Sequence, residues 1–182
     1  MSLLQAAVQL AAPWKDAYDN STLLATSVIA LHLTALLVGG GLAIAADRAT
    51  LRVPGAAVGG DAGAAAAVAA GERQRQLSEL GAVHRPVLAA LVILFVSGVA
   101  LTLADLETYI ASSVYWLKFA LIVLLLANGV VMTRTERALG SSAQLAAPVA
   151  QSLWRRMRWS AWASIALWIA TLVLGTALVN MA

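Results

Sequence analysis

VIALHLTALLVGGGLAIAADR, residues 28–48, sets a histidine in the middle of an apolar run. His32 stands eleven residues after Ser21 and fifteen before Asp47, with no charged residue between. The solvent of this stretch decides the fold. If it were water, the histidine would be ordinary and the apolar residues would need an explanation. If it is hydrocarbon, the apolar residues are ordinary and the histidine needs one.

Composition settles which. The chain has 182 residues, 61% of them hydrophobic and 12% charged, with a mean hydropathy of +0.83. A soluble domain carries roughly 25% charged residues, so charge is too scarce here to cover a wet surface. Four windows, residues 21–46, 86–104, 113–133 and 159–180, reach the ~20 apolar residues that cross a hydrocarbon core. The fold class expected is an all-α integral membrane protein, a four-helix transmembrane bundle with short interfacial helices, in one membrane domain spanning residues 1–182. The N-terminal stretch MSLLQAAVQLAAPWKDAYDN has no basic segment ahead of its apolar residues, and the first long run exceeds a signal-peptide core. The expectation is that the mature chain keeps it. Cysteine is absent, which excludes disulfides, iron–sulfur clusters and thiolate metal sites.

Charge orients the spans. Arg48, Arg52, Arg73, Arg75 and Arg85 lie between the first and second, and Arg134, Arg137, Arg155, Arg156 and Arg158 between the third and fourth. The opposite side holds Lys15 and Lys118 only, so the split is ten to two. By the positive-inside rule both arginine-bearing connections are cytoplasmic and both termini face out, a multi-pass arrangement in a bacterial-type inner membrane. Trp14, Tyr18, Tyr109, Tyr115 and Trp116 mark the outer interface and Trp154, Trp159 and Trp162 the inner one, while Trp168 reads as packing. The excess of arginine, with a sequence pI near 9.8, suits anionic lipid; it is too scattered for nucleic acid.

The connections divide by composition. Residues 49–71 form an Ala/Gly-rich cytoplasmic linker, flexible through the glycines at 55, 59, 60 and 63, with helix expected from about Ala64. A bend is expected at Pro86 and another at Gly39-Gly40-Gly41. The first fifteen residues and the stretch leading to Arg158 are each expected to form an interfacial helix.

Histidine inside a membrane has two common uses, ligating a metal or heme iron and relaying protons; the structural alternative is an interhelical hydrogen bond. His32, Ala35, Gly39 and Ala43 share one helical face. Small residues there leave a groove that serves close helix packing or a flat macrocycle equally well. His84 is the second candidate, in AVHRPVL, with a face continuing through Leu88, Leu91, Phe95, Gly98 and Thr102. Arg85 beside it is placed to pair with a heme propionate or to anchor the inner interface. Asn128, deep in the third span, needs an interhelical partner and is a candidate to orient His84 or its ligand. At about 1.5 Å per residue, His32 lies roughly 20 Å below Asp19 and His84 roughly 31 Å below Asp105. A shared iron therefore has to absorb a depth mismatch of about 10 Å by helix tilt. Lys118 reads as an interface anchor, and Ser97, Ser164, Thr171 and Thr176 as hydroxyls returned to their own backbones. No acidic residue lies mid-span, which speaks against an ion-coupled transporter with a carboxylate carrier. No nucleophile–base set or phosphate loop is visible.

Two blocks, LHLTALLVGGGLAIAADRATLR and VHRPVLAALVILFVSGVALTLAD followed by YWLKFALIVLLLANGVVM, resemble CopD-like and related uncharacterised four-helix membrane proteins over roughly residues 21–137. They are also similar to small b-type cytochrome membrane subunits, which hold heme between histidines on neighbouring helices. The second resemblance implies heme b with His32 and His84 as iron ligands; the CopD branch implies copper handling, against which stand the absent cysteine and only four methionines. The expected functions are accordingly an electron-transfer subunit binding heme b at His32, His84, Arg85, Gly39 and Asn128, or an accessory subunit without a cofactor, and third a metal-ion or small-solute transporter. Expected partners are lipid, other membrane or redox subunits and a second copy of the chain.

Overall fold

The computed structural model describes residues 3–52, 62–140 and 147–181, and these contain six helices. They are α1 (Leu3–Asp19), α2 (Thr22–Arg52), α3 (Ala62–Ala104), α4 (Leu106–Ala111), α5 (Ser113–Gly140) and α6 (Ala147–Met181). Four of them, α2, α3, α5 and α6, are long and apolar enough to cross a membrane. The glycines at 55, 59 and 60 lie outside the described residues.

Local chemistry fixes the helix starts. Ser21 Oγ accepts from Leu24 N at 3.2 Å and Ser112 Oγ from Tyr115 N at 3.4 Å, each satisfying a donor that a helix N-terminus otherwise leaves orphaned. α2 continues through Gly39-Gly40-Gly41 and α3 through Pro86 without interruption. The stretch leading to Arg158 is part of α6, so the fourth span and its expected interfacial helix are one element.

Side-chain exposure runs opposite to that of a soluble protein. Leu37 is 76% exposed and Phe95 69%, along with many other large apolar residues. The buried apolar residues include Ala11, Ala35, Ala90, Ala104 and Ala161. Small residues inside and large apolar ones outside is the arrangement helices take when the surroundings are as apolar as the interior.

Contacts group the chain into two compact units. The first comprises Met1–Gly41, Pro86–Ala120 and Leu172–Ala182. Within it α2 packs antiparallel on α3, with Gly39 against Ala90 and, seven residues back on one helix and seven on along the other, His32 against Ser97. α1 docks on the end of α3: Trp14 Nε1 donates to Ala100 O at 2.8 Å and Lys15 Nζ to Ala104 O at 3.3 Å. Ala104 closes α3, so its carbonyl has no intrahelical donor left, while Ala100 O takes the indole beside the amide of its own helix. Trp14 thus does more than mark an interface.

The second unit comprises Leu42–Arg85 and Leu121–Thr171, and hydrogen bonds close a ring of four helices in it. Gln76 of α3 donates to Thr50 Oγ1 of α2 at 3.1 Å. His84 of α3 meets Thr133 of α5 at 2.8 Å. Asn128 of α5 donates to Ser160 O of α6 at 2.9 Å. Ser164 of α6 hydrogen-bonds Asp47 of α2. Among the described residues, seven of the eight buried polar ones, Ser97 excepted, belong to this unit.

Candidate functional site

The candidate site in the first unit is built around His32. Its Nδ1 lies 2.8 Å from Ser97 Oγ. Ser97 Oγ is also 2.6 Å from Ile93 O, a carbonyl that can only accept, so the one hydroxyl proton of Ser97 points there. Nδ1 must then carry a proton and donate it to Ser97. The tautomer that follows leaves a lone pair on Nε2, which has no hydrogen-bond partner among the described residues. A histidine oriented through one nitrogen with the other left basic is how ligating histidines are commonly held.

Two further residues complete the surroundings. The ring lies over Gly98, where an added Cβ would stand 3.5 Å from Cε1. Lys118 of α5 is within electrostatic reach of His32, and its Nζ lies 3.3 Å from the position a Cβ on Gly175 of α6 would take. It is half-buried, and no carboxylate pairs with it among the described residues. Lys118 therefore points inward, where the sequence suggested an interface anchor. A basic nitrogen and an unpaired cation together suit a ligand with a Lewis-acid centre and an anionic arm.

Gly39 belongs to the same face of α2, but α3 occupies it: a Cβ there would stand 2.7 Å from Ala90 Cβ. At that level the small-residue face is used for helix packing.

His84 sits in the second unit with different partners. Thr133 Oγ1 donates to Gly129 O at 2.9 Å, so by the same proton count His84 Nε2 donates to Thr133. Nδ1 faces Glu136 Oε2 at 3.8 Å. Both ring nitrogens thus have a protein group opposite them. Arg85 is exposed. Asn128 is committed to α6, donating to Ser160 O and accepting from Ser160 Oγ at 2.7 Å, and it does not touch His84. Among the described residues, no group of three or more His, Asp or Glu is arranged to hold a metal ion.

Sequence reasoning missed Asp47. It reads as the polar end of the first span, yet it is 3% exposed, bonded to Ser164, and its Oδ2 is buried without a partner. The acid absent from mid-span is thus matched by one enclosed near the end of α2, and the Ser164 hydroxyl, expected to return to its own backbone, is bonded to it. The signal was available: the face His32, Ala35, Gly39, Ala43 continues at the next step of four to Asp47. Compared with known proteins, the chain matches no family model, no curated protein and no solved structure.

Proposed function

We propose that this chain is a multi-pass inner-membrane protein, with both termini outside, that binds one heme b through His32 and serves as an electron-transfer subunit of a larger membrane complex. The observation that carries the reading is the 2.8 Å contact of His32 Nδ1 with a Ser97 hydroxyl that donates to Ile93 O: Ser97 Oγ accepts from Nδ1–H, and Nε2 keeps a lone pair. Imidazole nitrogen is a strong axial ligand for heme iron. Lys118 supports the reading as a cation free to meet a propionate. A bound heme would supply one-electron transfer; the chain's part is to hold the ring nitrogen basic and oriented. His84 fits the group less well, because Thr133 holds its Nε2 and Glu136 Oε2 stands 3.8 Å from its Nδ1. The proposal therefore assigns His32 alone as the iron ligand from this chain. Sidedness rests on the ten-to-two distribution of arginine and lysine, and the likeness to small b-type cytochrome subunits belongs to the same proposal.

The test is a visible spectrum of protein purified from heme-replete cells. A Soret band is expected, lost in His32→Ala and retained in His84→Ala. Ser97→Ala should keep the band and change its reduced spectrum, since the ring loses the group that orients it. A protein without a Soret band overturns the heme reading.

A second reading has its own observation. The close approach of Gly39 to Ala90, with each histidine bonded to a hydroxyl on the next helix, describes an accessory subunit in which the histidines tie helices together. In that case no heme is bound, and both histidine-to-alanine variants lower stability alone.

A further inference from the structure

Asp47 is the one ionisable side chain among the described residues that is almost wholly enclosed and has an oxygen with no partner. Because Oδ2 has none, the hydrogen bond to Ser164 falls on Oδ1. Every other group around it is neutral. Ser164 reaches it from α6, and Ser160 lies one turn away on the same buried face. From α3, Gln76 turns to Thr50 and Ala46 O on either side of it in α2. Arg48 and Arg52, its nearest charged neighbours in sequence, are exposed. No charged side chain among the described residues acts on it.

A carboxylate in such a place has three ways to be tolerated. It can pair with a cation of the protein, and none is there. It can hold a metal ion, which asks for several ligands at once, and no group of three or more ligating side chains is arranged for one among the described residues. Or it can hold a proton. The neutral acid fits both oxygens: Oδ1–H donates to Ser164 Oγ, and Oδ2 becomes a carbonyl, the kind of buried polar atom that goes unpaired at least cost.

We propose that Asp47 is a proton-binding site, a carboxyl held as the neutral acid under mildly acidic conditions in which the exposed aspartates are ionised, whose proton is held against Ser164 and exchanges with solvent. The site stands apart from the heme reading, since no observation it rests on involves His32 or Lys118.

Infrared spectroscopy of the full chain in lipid nanodiscs, with isotope-labelled aspartate, tests it. The chain has five aspartates, and the other four should give carboxylate bands at pH 5, above the ordinary aspartate pKa of about 3.9. Asp47 should give one acid C=O band at the high-frequency end, where carbonyls without a hydrogen bond absorb. The band should vanish in Asp47→Asn and shift in heavy water as the acid proton exchanges. The label separates Asp47 from Glu136, and the wild-type spectrum is informative even if a variant fails to fold. Carboxylate bands alone at pH 5, an acid band that survives Asp47→Asn, or one indifferent to heavy water each overturns the proposal.

Discussion

Gly39→Ala is the smallest perturbation that interrogates the α2–α3 seam. The added Cβ would stand 2.7 Å from Ala90 Cβ, where ordinary carbon contacts are about 3.5–4.0 Å. The helices must part locally by about 1 Å, a strain of the overpacking kind that costs about 1–3 kcal/mol. Seven residues away along the seam, the 2.8 Å bond between His32 and Ser97 would stretch with it, and an interhelical hydrogen bond in a membrane protein is worth about 0.6 kcal/mol. Against this, alanine in a helix is better than glycine by about 0.5–1 kcal/mol. The net expectation is a loss of about 1–2 kcal/mol. Gly41→Ala is the control, because nothing lies within 4 Å of its Cβ position; it should be neutral or slightly stabilising. Ala90→Gly in the Gly39→Ala background should recover most of the loss. Unfolding in mixed micelles, followed through the six tryptophans, gives all four free energies. If Gly39→Ala proves as benign as Gly41→Ala, the helices are not in contact there and the packing argument fails.

Three further outcomes follow from the geometry. A double-mutant cycle of Asn128→Ala and Ser160→Ala should show a coupling of about 0.6–1.7 kcal/mol, because their side chains bond one another at 2.7 Å; a cycle that closes at zero denies that bond. Trp14→Phe removes the donor to Ala100 O at a cost of about 1 kcal/mol, and should raise hydrogen exchange in α1 while leaving α2, α3, α5 and α6 protected. Burial first, then the charge of Asp105, holds the Tyr109 phenol above its ordinary value of 10.0. The folded state thus keeps this proton where the unfolded chain begins to lose it, so its contribution to stability is present below pH 10 and declines as pH rises beyond. Alkaline ultraviolet titration should show a late-ionising tyrosine that disappears in Tyr109→Phe.

The four long helices were legible because an unbroken apolar run says the same thing wherever its faces point. The rest was harder for that same reason. When lipid and protein interior are equally apolar, the helical period of hydrophobicity no longer tells which side faces a neighbour. Residue size carries what hydropathy lost: His32, Ala35 and Gly39 share a face by spacing alone, and the structure sets that face against Ala90 and Ser97. Size does not name the partner helix. Ser97 was readable as a hydroxyl bonded to its own backbone, and it is, at Ile93 O; that it also fixes the tautomer of His32 depends on which helices are adjacent. The enclosure of Asp47 was missed for a different reason. An acidic residue followed by arginine reads as the edge of a span, since charge is costly in hydrocarbon. That cost applies to a charge facing lipid. Asp47 lies one step of four beyond Ala43 on the packed face, so α6 shields it while Arg48, its neighbour in sequence, points outward. Depth and direction are separate coordinates of a helical residue, and for the residues with chemistry to perform, direction decides.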